Sequence, residues 1–199
     1  MRRLILVTVV FLLSSCATYT LVEPKRFTVA PGFSLQPTLA WNQVGAHLVK
    51  GPAVIWTTEG QSLDSLLIFP GIGHGKAMLE DETGQSSAEA DAKKEKPPTF
   101  RSDMSPNEIM ELFEASMVRA TRSTLASATA LRPAPFAGVP GFRFDFALTT
   151  PDQLERRGIA AGAVRDGKLY LIYFQGSRIY HFGKLKDEAE RIIDSARFG

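Results

Sequence analysis

The residues that invite chemistry are few. Gly71-Ile72-Gly73-His74-Gly75-Lys76 suggests a phosphate-binding loop. Such a loop needs Gly, four residues, then Gly-Lys-Ser/Thr, so that backbone N–H groups and the N-terminus of a following helix cradle the phosphates. Pro70 stands where the first glycine belongs and Ala77 where the hydroxyl belongs, so the stretch reads as a turn. His47, His74 and His181 are the only histidines; none lies in HExxH or at helical spacing from a second ligand. A zinc site takes three or four such ligands, so no metal and no cofactor is expected. His47 and His74 read as exposed loop residues and His181 as a strand-end residue. Gly-x-Ser-x-Gly, the nucleophile elbow of many serine hydrolases, is absent. Arg143 and Asp145 share one strand face, where cross-strand pairing or solvent is the expected fate. Trp41 and Trp56 read as core aromatics. Cys16 is the single cysteine and follows a greasy run. No catalytic residue is nominated, and the chain is read as a non-enzyme.

Arg2 and Arg3, the apolar run Leu4 to Leu13 and the small residues Ser14 and Ser15 have the layout of an export signal. The run is too short for a membrane helix, which needs about 20 apolar residues. Leu13-Ser14-Ser15-Cys16 resembles the lipobox of bacterial lipoproteins. The resemblance implies cleavage before Cys16, a diacylglycerol on its sulfur and a further acyl chain on its amine. Two or three chains anchor a protein stably where one binds marginally. Ala17, in place of Asp, implies the outer membrane, facing the periplasm. The membrane is thus one expected partner, through the acyl chains on Cys16, and an envelope protein is the other.

The positioning elements follow from pattern. With 44% hydrophobic and 22% charged residues the chain is globular. Of 23 basic residues two are Arg2 and Arg3, which leaves 21 against 21 acidic. A neutral mature chain gives no reason to expect nucleic acid. Residues 1–15 read as the signal, 16–26 as a tether of at most roughly 35 Å, and 27–199 as one domain.

Strands are expected at Phe27–Val29 and Phe33–Leu35 around a Pro31-Gly32 turn, then at Trp41–Val44, Ala53–Thr57 and Leu66–Phe69, the last ended by Pro70-Gly71. From about 71 to 99 no hydrophobic period survives. Its centre, Glu80 to Pro98, has no aliphatic or aromatic anchor beyond alanine and reads as a solvated flexible loop. Ser105-Pro106-Asn107-Glu108 is a capping box opening a helix to about Thr124, with Ile109, Leu112, Phe113, Met117 and Ala120 inward.

Thr129–Arg132 reads as a strand and Pro133–Gly141 as a turn region. Phe142–Leu148 alternates cleanly, Gly158–Val164 is a small-residue strand, and Asp166-Gly167 is a hairpin signal. Leu169–Phe174 is apolar on both faces and belongs centrally in a covered sheet. A weaker strand is expected near Arg178–Phe182, and a last helix from about Lys184–Asp187 with Leu185, Ala189, Ile192, Ile193 and Ala196 inward.

This order is α+β: a mostly antiparallel sheet with two main helices packed on it. From Trp41 onward the chain resembles an uncharacterised family of bacterial lipoproteins, in Trp56-Thr57-Thr58-Glu59-Gly60, Leu63-Asp64-Ser65-Leu66, Gly138-Val139-Pro140-Gly141-Phe142-Arg143-Phe144 and Gly167-Lys168-Leu169-Tyr170-Leu171-Ile172. In topology it looks like the PsbP/Mog-type α/β/α sandwich, which implies binding and assembly and transfers no catalytic residue. The expected function is that of a non-catalytic, membrane-anchored binding or accessory subunit of the cell envelope. The alternative is a small-molecule or lipid carrier, which requires an apolar pocket of roughly 300 Å³ or more between sheet and helices. An enzyme with a spatially assembled site would instead need titratable groups with shifted pKa values gathered in a cleft.

Overall fold

The computed structural model describes residues 18–49, 51–79, 96–123 and 125–199. The signal, Cys16 and the centre of the expected loop lie outside them. Strands β1 (Tyr19–Val22), β4 (Trp41–Val44), β5 (Val54–Thr57), β6 (Asp64–Ile72), β10 (Lys168–Ser177), β9 (Glu155–Arg165), β8 (Val139–Thr149) and β7 (Leu125–Phe136) lie in that order in one antiparallel sheet. A second sheet joins β2 (Phe27–Ala30), β3 (Phe33–Leu35) and β11 (Arg197–Phe198). Helices α1 (Pro106–Thr121) and α2 (His181–Asp194) cover opposite faces of the large sheet. The fold is therefore the α+β sandwich expected from the sequence.

Strand alternation sorts the core into two layers. Leu66, Ile68, Ile172 and Phe174 face α2, where Leu185, Ala189, Ile192 and Ile193 meet them. Leu67, Phe69, Leu171 and Tyr173 face α1, with Ile109, Leu112, Phe113 and Met117. β10 lies between β6 and β9 and is covered on both faces, which is why it has no polar side. Phe142, Phe144, Phe146 and Leu148 of β8 all turn to α1.

The capping box forms as expected. Glu108 N–H reaches Ser105 Oγ at 3.4 Å, and Glu108 Oε2 accepts from Ser105 N at 2.8 Å. The helix ends at Thr121, where Arg122 turns left-handed, three residues before the expected end. Asp166 and Gly167 both have positive φ, at 51° and 71°, between paired Arg165 and Lys168. This is the two-residue hairpin their types favour. Gly167→Ala is expected to cost about 1 kcal/mol by placing a Cβ in the left-handed region, read as a lowered urea midpoint with an unchanged slope.

Five further boundaries differ from the sequence reading. Pro70-Gly71 does not end its strand: β5 pairs with β6 only to Ile68, which leaves Pro70 a free edge, and Gly71 is the extra residue of a bulge opposite Leu169 and Tyr170. The expected 71–99 loop is ordered at its margins, with Met78 and Phe100 buried in the α1-side core and Ala77 bridged to Thr99. Pro133 and Pro135 belong to β7, which tolerates them because it is an edge strand, and the turn shrinks to Ala137-Gly138. There is no strand at 178–182; β10 runs on to Ser177 and α2 already starts at His181. Finally, Tyr19–Val22, inside the expected 16–26 tether, pairs in full with Trp41–Val44, and Val22 is buried in the α2-side core. The folded sheet therefore begins three residues after Cys16.

Candidate functional site

The sequence candidates are dispersed. Gly73–Lys76 form a turn whose strands close through Phe100 N to Lys76 O (2.9 Å) and Gly75 N to Phe100 O (2.8 Å). Among the described residues no helix begins there to face a phosphate. His74 is exposed and its Nδ1 meets Ser102 at 3.3 Å; His47 is exposed on a 3-10 turn, Ala46–Leu48. Arg143 pairs with Asp194 of α2, and Asp145 lies 3.7 Å from Arg132 on β7, so both settle into ion pairs. Trp41 and Trp56 are fully buried, edge-on to Phe174 (6.4 Å) and Phe27 (5.5 Å). They are core, as their types suggested.

His181 is the exception to its sequence reading: it is a buried helix residue. Its Nδ1 meets Ser177 Oγ at 2.8 Å, its Nε2 meets Glu59 Oε2 at 3.0 Å, and Lys184 pairs with the other oxygen of Glu59. Serine, histidine and carboxylate in a row suggest acyl transfer. The details point to structure. Ser177 is buried, and its Oγ also accepts from His181 N–H at 3.4 Å, which caps the first turn of α2 in place of the unhelpful Tyr180. Glu59 is held below the usual carboxylate range first by its bond from Lys184 and then by His181, and Lys184 is raised in return. The pair sits at the surface and clamps the β5–β6 connection to α2. The sequence signal was the four-residue spacing of Ser177 and His181; Glu59 is too distant in the chain to be found.

Among the described residues, two clefts of more than roughly 300 Å³ stand out against the sheet. On the α2 side, where the helix stops short of β7 and β8, a groove of about 400 Å³ is lined by Thr129, Asp145, Arg157, Ile159, Phe182 and Lys186 among others. Its charges are of both signs. On the α1 side a cleft of about 420 Å³ lies between β5, β6, β10 and the last turn of α1. Ala53, Ile55, Leu67, Leu79 and Ala120 supply apolar wall; Ser65, Tyr173 and Gln175 supply uncharged polar groups. Gln175 Nε2 donates to Ser65 Oγ at 3.1 Å, and its buried Oε1 has no partner among the described residues. Burial keeps the Tyr173 hydroxyl well above its ordinary pKa and hence protonated. Arg156, itself buried, braces the rim by donating to the carbonyls of Gln61 and Ser62; burial lowers its pKa. This cleft is the better candidate, because it sets apolar wall beside a few fixed, uncharged polar groups, the usual form of a ligand pocket. Sequence reasoning missed it because its lining comes from five separate stretches.

The architecture defines a class, the PsbP-type sandwich. The cyanobacterial PsbP (CyanoP) of Synechocystis sp. PCC 6803, a solution structure, matches over 94% of this chain and 95% of that one, with a TM-score of 0.57 and 11% identity. That likeness shows the fold. LpqN, described as involved in cell envelope biogenesis of Mycobacterium tuberculosis, matches over 93% of this chain and 86% of that one at 10% identity, but its TM-score of 0.37 is too low to argue from. No family model matches the chain, and no characterised sequence matches it.

Proposed function

We propose that the protein is a non-catalytic binding or accessory subunit of the bacterial cell envelope, anchored by acyl chains on Cys16 to the periplasmic face of the outer membrane. The observation that carries this reading is the position of Cys16 at the end of an export signal, three residues before the first strand of a folded sheet. The PsbP-type fold, shared with the matched cyanobacterial protein, is the one that the sequence resemblance tied to binding and assembly. Among the described residues no helix is long and apolar enough to cross a membrane, so a lipid on Cys16 would supply the attachment. Cys16→Ser is expected to abolish incorporation of labelled palmitate and move the protein from the membrane fraction to the soluble one. Unchanged membrane association would overturn the anchor.

A second reading, a carrier of small apolar molecules, is favoured by the α1-side cleft, whose volume exceeds the roughly 300 Å³ that a ligand pocket needs.

A further inference from the structure

We infer that the α1-side cleft binds an uncharged, mainly apolar small molecule, admitted from the end of the domain that lies nearest the anchored N-terminus. The inference rests on the carrier reading and specifies its ligand. Three observations support it.

The first is charge. The cleft is lined by Leu48, Val49, Ala53, Ile55, Leu67 and Leu79, together with uncharged polar groups; no carboxylate, ammonium or guanidinium lines it among the described residues. Arg156, which braces lining residue Gln61, is committed to the carbonyls of Gln61 and Ser62. An ionised ligand would leave water without gaining an oppositely charged partner, and an unpaired buried charge costs several kcal/mol. A neutral ligand avoids that cost and meets apolar wall.

The second is the chain that follows the cleft wall in sequence. Leu79 lines it, and residues 80–95 follow directly. They comprise Glu, Asp, Lys, Thr, Gln, Ser, Gly and Ala, with no larger aliphatic and no aromatic side chain. Their composition is not complementary to an apolar wall, whereas an apolar small molecule is.

The third is the position of the wall. Leu48 and Val49 belong to the turn after β4, and Gly45, which opens that turn, donates its N–H to Thr18 O at 2.9 Å. Thr18 is two residues from Cys16, at most about 7 Å of chain. At the same corner, Tyr19 and Leu21 of edge strand β1 are 45% and 61% exposed and Leu48 is 50% exposed. Exposed tyrosine and leucine beside a lipid anchor suit a membrane interface, where an aromatic ring with a polar tip is favoured. One wall of the cleft is thus continuous with the surface that the anchor holds against the bilayer, where neutral apolar molecules partition.

The test uses the full mature chain carrying Cys16→Ser, so that its own acyl chains cannot compete. N-phenyl-1-naphthylamine, which is neutral, and 1-anilinonaphthalene-8-sulfonate, the same skeleton with a sulfonate, are titrated by fluorescence. The neutral probe is expected to bind saturably at one site, and the sulfonate about tenfold or more weaker. Ala53→Phe and Ala120→Phe fill the cleft from opposite walls; each is expected to weaken the neutral probe about tenfold or more while leaving the melting temperature within a few degrees. Two substitutions from different elements keep the test decisive if one of them disturbs folding.

Equal affinity for both probes would overturn the neutral-ligand assignment and leave the carrier reading standing. No saturable binding of either probe would remove the carrier reading as well. Binding untouched by both substitutions would place the probe elsewhere and overturn the inference. So would binding that emerges only when residues 80–95 are deleted, which would give the cleft to that segment, or a dimer whose formation blocks the probe, which would give it to a second copy.

Discussion

Phe113→Ala is expected to lower the unfolding free energy by about 3–5 kcal/mol, the range for removing a large buried aromatic side chain. Phe113 lies on the inward face of α1 and is 1% exposed. Its ring meets three others edge-on: Phe146 at 4.8 Å, Phe144 at 5.1 Å and Tyr173 at 5.2 Å between centroids. These belong to β8 and β10, so one side chain ties the helix to two strands of the sheet. Truncation removes the transfer energy of the ring and leaves a void that three aromatic neighbours cannot close by small shifts. The whole domain is worth only about 5–15 kcal/mol, so the variant approaches unfolding at ordinary temperature. Phe113→Leu, which keeps most of the volume, is expected to cost about 1.5 kcal/mol or less. Urea denaturation of both variants measures the difference. Because Tyr173 also lines the α1-side cleft, Phe113→Ala is expected to weaken the neutral probe too, and a variant that lost stability but bound as well as wild type would show that Tyr173 needs no support from the helix.

Glu188→Ala is expected to cost about 2–4 kcal/mol near neutral pH, and less in acid. Glu188 is on α2, with its side chain 1% exposed. It accepts from Thr38 N at 2.7 Å and Leu39 N at 3.0 Å, from the Thr38 hydroxyl, and from Arg191 Nε at 3.2 Å. Residues 36–40 connect the small sheet to the large one, so this carboxylate fastens the connection to the helix. Removing it leaves two partly buried N–H groups without an acceptor, and bonds to a charged acceptor are the costly ones to lose. Burial alone would raise its pKa; the bonds from Thr38, Leu39 and Arg191 outweigh that and hold it below the ordinary glutamate value of 4.5. A group whose folded pKa is depressed stabilises the fold fully above its unfolded value and loses that contribution as pH falls through the folded one. The gap between wild type and Glu188→Ala is therefore expected to be widest above about pH 5 and to narrow as the pH drops below the ordinary glutamate range. Glu188→Gln, which keeps an acceptor but no charge, is expected to fall between them. Denaturation midpoints across that range provide the check, and a pH-independent gap would mean that the carboxylate's charge contributes nothing to the fastening.

Hydrophobic period made much of this architecture legible in advance. Phe142, Phe144, Phe146 and Leu148 alternate, the inward face of α1 repeats at helical spacing, and β10 has no polar side; each pattern records which faces an element buries. Local chemistry did the same for the capping box at Ser105 and the hairpin at Asp166-Gly167, because both are made by residues a few positions apart. Boundaries were lost where a neighbour overrides the local signal. Pro133 and Pro135 look like turn residues until β7 is known to be an edge, and Pro70-Gly71 looks like a strand end until a bulge absorbs the glycine. His181 looked like the end of a strand because Tyr180 caps nothing; the capping hydroxyl comes from Ser177, still in β10.

The sequence by itself determined the fold class, the central place of β10, the two helix faces and the nomination of Cys16, since each depends on contiguous residues. Only the tertiary structure decided that Tyr19–Val22 is part of the sheet, which leaves two residues between Cys16 and the first strand where a longer tether was expected. It alone also joined Ser177, His181 and Glu59, and assembled the α1-side cleft from Leu48, Ile55, Leu67, Leu79, Ala120 and Tyr173. The physical reason is the same in each case: these arrangements depend on contacts between residues tens of positions apart, for which a period read along one stretch of chain carries no signal.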